Sequence, residues 1–206
     1  MNNKPLILVD GGLSIKQGLK QGLWNKIKGQ EIWSLNFAFL SMPYTPSKEV
    51  WIDFFFFLAQ QKNLLKLKDC ELIAKNTGTV YKEFPVTTYE ATSNTEKYKD
   101  DVLFLGRLCL CGIFAISLAI QRGYKNISLL GFDHGTPINK EKETHYYEGR
   151  VANPEVYRDE NKKVRDEVED FEVFIKDDVT IHNVSTISNI DCFEKIDYPE
   201  LFRRLT

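Results

Sequence analysis

The stretch from Leu110 to Asp133 constrains this chain more than any other. Its first half is apolar, and the small residues Gly112, Ala115 and Ala119 fall at i, i+3 and i+7, so one helix face can lie flat and close on a sheet. Gly123 is the residue type that stops such a helix with a left-handed cap. After the Gly123-Tyr-Lys turn, Asn126-Ile-Ser-Leu-Leu-Gly131 is an unbroken apolar run of strand length, the pattern of a strand covered on both faces. A buried helix feeding a buried strand predicts a parallel sheet. Open sheets of this kind bind ligands outside the carboxyl ends of their strands, so Gly112 at the helix start, and Gly131, Asp133 and His134 at the strand end, fall where a phosphate-bearing ligand would lie.

Further runs extend the sheet. Pro5-Leu-Ile-Leu-Val9 reads as a first buried strand, and Asp10-Gly-Gly-Leu-Ser14 as a glycine turn into a helix capped by Ser14. That turn suits a phosphate, although its spacing is neither the dinucleotide fingerprint nor a P-loop, and a plain strand-to-helix turn explains Gly11 and Gly12 equally well. Glu31-Ile-Trp-Ser-Leu35 and Glu49-Val-Trp-Ile-Asp53 are the second and third strands, ending at Asn36 and Asp53. Both residues suit helix caps, and both would also line a nucleotide site along one sheet edge. A helix is expected over Phe54 to Lys68, with Phe54-Phe-Phe-Phe57 in the core, then a fourth strand at Cys70-Glu-Leu-Ile-Ala74 and a short one at Val86-Thr-Thr-Tyr89. From His134 to Asn153 the chain turns charged and aromatic, which predicts a flexible lid. Pro154 opens a helix with Tyr157, Val164, Val168 and Phe171 on one face, Val179 to Val184 forms a last strand, and a short tail begins at Phe193. The expectation is one α/β domain over 1–206, Rossmann-like, with a mostly parallel sheet, helices on both faces and a lid within it.

Composition narrows the function. Twenty-seven Lys and Arg against 29 Asp and Glu leave a formal charge of -2, which gives no electrostatic reason to expect nucleic acid as a partner. Cys70, Cys109, Cys111 and Cys192 lack paired metal spacing and are expected as buried, reduced thiols of a cytoplasmic protein. With three histidines in all, a zinc site of His and Cys is not expected. No signal peptide or transmembrane run is expected, since the first apolar stretch and the aromatic stretch Trp51 to Leu58 are both short.

Taken in order, the motifs resemble those of the bacterial sialyltransferases of glycosyltransferase family 42 and of related nucleotide-binding proteins, including archaeal hydroxymethylpterin diphosphokinase-like proteins. Asp10-Gly-Gly-Leu-Ser-Ile-Lys16 is similar to the family's Gly-Asn-Gly-Pro-Ser-Leu-Lys loop, and Leu35-Asn36 to its Cys-Asn after strand two. Trp51-Ile-Asp53 stands in the place of its Tyr-Asn, and Gly112 to Asp133 resembles its Ser-Gly helix, Gly-Tyr-Lys turn and Gly-Ile-Asp. Thr144-His-Tyr146 is similar to its Ser-His-Tyr lid segment, while the middle from Lys75 to Arg107 has no counterpart. Where the family has a loop Asn and Pro this chain has Gly11 and Leu13, and its Thr-Ser before the helix is Leu110-Cys111. The family's phosphate-binding Tyr falls on or beside Gly135 and its base His near Gly149.

The resemblance implies a glycosyltransferase-like enzyme that moves a sugar from a CMP-type nucleotide donor to an acceptor hydroxyl on a small molecule or glycan, with no metal or other cofactor required. Such transfer needs a base and donors for the departing phosphate. His145 or His134 is the candidate base, and Tyr146, Tyr147, Arg150 and Arg107 are the candidate phosphate partners. Gly11, Gly12, Ser14, Asn36, Asp53, Gly112, Gly131 and Asp133 are the expected nucleotide-binding residues. Two alternatives stand beside it: an ATP-dependent diphosphokinase acting on a small hydroxymethyl substrate, with Mg held by Asp10, Asp53 and Asp133, and a non-catalytic nucleotide-binding module.

Overall fold

A computed structural model describes residues 4–78, 81–94, 102–107, 109–134, 145–146, 168–176 and 178–206. The expected lid falls outside the described residues apart from His134, His145 and Tyr146. So do Arg150, Tyr147, and Tyr157 and Val164 of the helix expected after Pro154.

Strands β1 (Leu6–Val9), β2 (Glu31–Leu35), β3 (Lys48–Trp51), β4 (Glu71–Lys75) and β5 (Val86–Tyr89) pair in sequence order, each parallel to the last. Two short strands, β6 (Ala91–Thr92) and β7 (Leu103–Phe104), form a separate parallel pair. The chain then crosses back, and β8 (Asn126–Leu130) lies on the far side of β1, with Leu8 flanked by Leu129 and Trp33. Strands β9 (Thr180–Asn183) and β10 (Glu194–Lys195) continue outward, giving an eight-stranded sheet in the order β10-β9-β8-β1-β2-β3-β4-β5. This is an α/β, Rossmann-like arrangement.

Alternate side chains explain the layers. Leu6, Leu8, Trp33, Leu35, Val50, Ile73, Ile127 and Leu129 point to one face, where helix α4 (Cys111–Gln121) covers them and is itself buried from Cys111 to Ala119. Gly123 ends it at φ +82°, as its sequence position requires. The opposite face carries Ile7, Val9 and Ile32 against α1 (Ile15–Lys20), α2 (Leu23–Ile27) and α5 (Tyr198–Leu205). Farther along that face, Trp51, Leu72 and Ala74 pack on α3 (Phe54–Leu64). Full burial of one such Leu, Ile or Phe stabilises the fold by about 1.5–3 kcal/mol.

Four expectations need correction. Of the four phenylalanines, Phe56 and Phe57 enter the core but Phe55 is 75% exposed, because four successive residues at about 100° apart run most of the way round a helix and cannot all face the sheet. Of the cysteines expected to be buried only Cys111 is, with Cys70 and Cys192 half-buried and Cys109 exposed, although all four are free. The tail after Phe193 folds into β10 and α5, the latter started by the Asp197 carboxylate accepting the Glu200 N–H at 2.8 Å. Ser14 precedes α1 but makes no capping hydrogen bond, and its hydroxyl is buried.

Candidate functional site

Strand order reverses between β1 and β8, and at such a switch the loops leaving two adjacent parallel strands diverge and open a crevice. Here the two loops first grip one another. Asp10 N–H donates to the Leu130 carbonyl and Gly12 N–H to the Gly131 carbonyl, both at 2.8 Å. A Cβ on Gly12 would stand 2.4 Å from the Gly131 oxygen, and one on Gly131, at φ +75°, would stand 2.6 Å from the Asp10 oxygen. These glycines let two backbones touch, and the Gly12 amide is engaged by protein.

Asp133 completes that grip. Its carboxylate is 5% exposed and accepts the Ser14 N–H at 2.7 Å and the Ser185 hydroxyl at 2.8 Å, which explains why α1 starts without help from the Ser14 side chain. Asn189 donates its backbone N–H to the Asp133 carbonyl at 3.1 Å and its side-chain amide to the His134 carbonyl at 2.8 Å. His134 is thereby held at φ +32°, a left-handed conformation unusual for a residue with a Cβ, and its ring lies 5.1 Å from that of Phe171.

From the other side, Tyr146 N–H donates to the Gly11 carbonyl at 2.9 Å, bringing His145 to the β1 loop. The Tyr146 ring is buried, its hydroxyl donating to the Ala38 carbonyl at 3.1 Å and accepting from Ser41 at 2.7 Å. Tyr146 therefore anchors His145.

Asp10 is the acid at the centre. Its Oδ1 accepts the Gly11 N–H at 2.7 Å. Burial pushes its carboxyl up, against the opposing pull of His134, the Gly11 amide and His145, while Asp133 adds to the rise. Cys111, the first residue of α4, is pushed well up by burial and by the charges of Asp10 and Glu49, and its thiol donates to the Val50 carbonyl at 3.4 Å. Glu49, on β3 and in register with Ser34 of β2, is wholly buried, accepts the Ser34 hydroxyl, and is raised well above the usual carboxylate range by burial.

The structure thus brings Gly11, Gly12, Ser14, Gly131, Asp133, His134, His145 and Tyr146 together at the switch. Asn36, at φ +53°, follows β2, and Gly112 lies in the first turn of α4. The space left by the missing Gly112 side chain is filled by the Phe132 ring, 2.6 Å from where a Cβ would stand. Asp53 is a helix cap, its Oδ1 accepting the Phe55 N–H at 2.7 Å. Sequence reasoning missed Ser185 and Asn189, which lie 52 and 56 residues from the groups they hold and carry no local signal. An open groove of about 680 Å³ is lined by Ser93, Asn94, Arg107, Glu169 and Asp170 among others. Arg107 is paired there with Asp170 at 2.9 Å and Glu169 at 3.1 Å. Among the described residues no three His, Cys, Asp or Glu side chains are grouped to hold a metal ion, and no helix is long and apolar enough to cross a membrane.

A Rossmann-like fold with its strand order reversing between β1 and β8 defines the class. Among solved structures, the chain is similar to the Maf glycosyltransferase from Magnetospirillum magneticum AMB-1, with a TM-score of 0.64 and 15% identity over 94% of this chain. This chain spans only 33% of that protein. It is also similar to the sialyltransferase CstII from Campylobacter jejuni, solved with the substrate analogue CMP-3FNeuAc, with a TM-score of 0.53 and 14% identity over 94% of this chain and 85% of that one. At these identities the likeness establishes the fold. No protein-family model and no curated protein sequence matches the chain.

Proposed function

We propose that this chain is a glycosyltransferase-like enzyme that moves a sugar from a CMP-type nucleotide donor to an acceptor hydroxyl without an essential metal. The observation that carries the proposal is the convergence of two histidines, His134 and His145, on the Asp10 loop at the switch of a fold shared with glycosyltransferases. In this scheme the acceptor O–H proton passes to an imidazole nitrogen, the freed oxygen pair forms the bond to the sugar's anomeric carbon, and the bond from that carbon to the phosphate breaks. The phosphate leaves with the electron pair. Tyr146 fixes His145, and Arg150 is the candidate partner of the leaving phosphate.

The diphosphokinase alternative is less well supplied. It needs carboxylates free to hold magnesium, whereas Asp53 and Asp133 accept backbone amides of Phe55 and Ser14.

The test is release of nucleotide from CMP-, UDP- and GDP-linked sugars, with and without EDTA, alongside thermal shifts with the free nucleotides. The expected result is EDTA-insensitive release of CMP, lowered at least about 100-fold in His145→Ala or His134→Ala with little change in nucleotide affinity. Absence of any nucleotide-dependent thermal shift or release would overturn the proposal, and release abolished by EDTA would favour the magnesium-dependent alternative.

A further inference from the structure

Asp10 sits half-buried at the carboxyl end of the central strand, where a carboxylate out of full contact with water gains from a neighbouring positive charge. Among the described residues, the titratable groups whose charge acts on it come from several neighbouring elements: Asp133 and His134 from the end of β8, His145 from the segment pinned to Gly11, Glu49 from β3 and Cys111 from α4. Of these only the two imidazoles can carry positive charge, and both are held by backbone. His134 is locked in its left-handed conformation by Asn189, and His145 precedes the Tyr146 N–H that bonds Gly11. The Gly11 N–H to Oδ1 bond turns the Asp10 carboxylate within its own loop.

We propose, resting on the transferase assignment above, that Asp10 is a positioning residue whose carboxylate, in the loop to which the Tyr146 and Gly131 backbones bring His145 and His134, stabilises the imidazolium formed when one of them takes the acceptor proton. In a confined site this charge pair is worth far more than in water, and it is already in place when the proton moves, so no reorganisation is required at that moment. Neutral acceptor and neutral imidazole become imidazolium and glycoside oxygen, and the negative charge leaves on the phosphate.

The test separates the pairing from the activity. The titration of the Asp10 carboxyl is followed by carbon-detected NMR in the wild-type chain and in His134→Gln, His145→Gln and His182→Gln. His182, on β9, instead faces Glu194 and Arg204 and serves as the control. The Asp10 midpoint is expected to rise when His134 or His145 is replaced and to stay put when His182 is. An unmoved midpoint in both variants would overturn the pairing.

In the transfer assay, Asp10→Asn keeps an oxygen for the Gly11 N–H. It is expected to lower kcat about 100-fold, with the donor KM within about twofold, and to move the acidic limb of kcat to lower pH. A wild-type kcat and profile in Asp10→Asn would overturn the positioning role even with the titration coupled. If the titrations are coupled while the wild-type chain transfers no sugar from any donor, the pairing stands and the transferase assignment fails.

Discussion

The carboxylate of Asp133 accepts the backbone N–H of Ser14 at 2.7 Å, tying together the ends of β8 and β1 across 119 residues of sequence. With the Ser185 hydroxyl on its other oxygen, one buried acid organises three loops at the switch. Asp133→Ala strands both donors, and each buried unpaired group costs about 1–3 kcal/mol. Urea denaturation should therefore show Asp133→Ala to be less stable than Ser185→Ala, which removes one donor together with its need. Equal stabilities would mean that water replaces the carboxylate.

Gly12 and Gly29 make opposite predictions about the same substitution. At Gly12 an added methyl meets the Gly131 carbonyl and the Asp133 carboxyl at 2.4 and 2.6 Å, so Gly12→Ala must push the two loops apart. The cost of such overpacking is about 1–3 kcal/mol or more, and it falls on the site itself. Gly29 has nothing within 4 Å and only its φ of +88° to protect it, so Gly29→Ala should cost about 1–2 kcal/mol and leave nucleotide binding unchanged. Thermal denaturation with and without nucleotide distinguishes the two.

Glu49 gives the fold a pH dependence of known sign. Its carboxyl is buried and its folded pKa is raised well above 4.5, so the folded state holds a proton that the unfolded chain releases. Stability from this group is complete below the unfolded pKa and is lost as pH rises through the folded one. Glu49→Gln, which keeps the shape and cannot ionise, should flatten this part of the stability curve and be the more stable protein at high pH. A wild-type slope persisting in Glu49→Gln would assign it to another group.

Arg122 anchors the amino ends of the strands, away from the switch. It makes two hydrogen bonds to Glu71, at 2.6 and 2.7 Å, and lies over the rings of Trp33 and Tyr89. Lysine can supply the charge but not the planar fork, so Arg122→Lys should cost about 1–2 kcal/mol of stability. Nucleotide affinity should be unchanged, and a weakened affinity would show that the two edges of the sheet are coupled.

What could be read from the residues was local. The apolar runs that became β1, β2, β3 and β8 carry no alternation because both faces of the sheet are covered, and the small residues along α4 announce a helix pressed onto it. Gly123 and Asp53 could be read for the same reason: a left-handed helix stop and a helix cap each depend on a few adjacent residues. The two-residue strand β10 was too short for a period to register, and α5 shows only Tyr198, Leu201, Phe202 and Leu205 within a polar tail.

The sequence by itself determined that buried parallel strands and an unusually apolar helix would form, and that polar groups would stand at the strand ends. The tertiary structure alone decided that β8 lies beside β1, and hence that Asp10 bonds Leu130, Gly12 meets Gly131 and Asp133 reaches Ser14. Strands covered on both faces have nearly interchangeable side chains, so their order is set by how the connecting helices and loops fill space around the whole sheet, which no single stretch of sequence encodes.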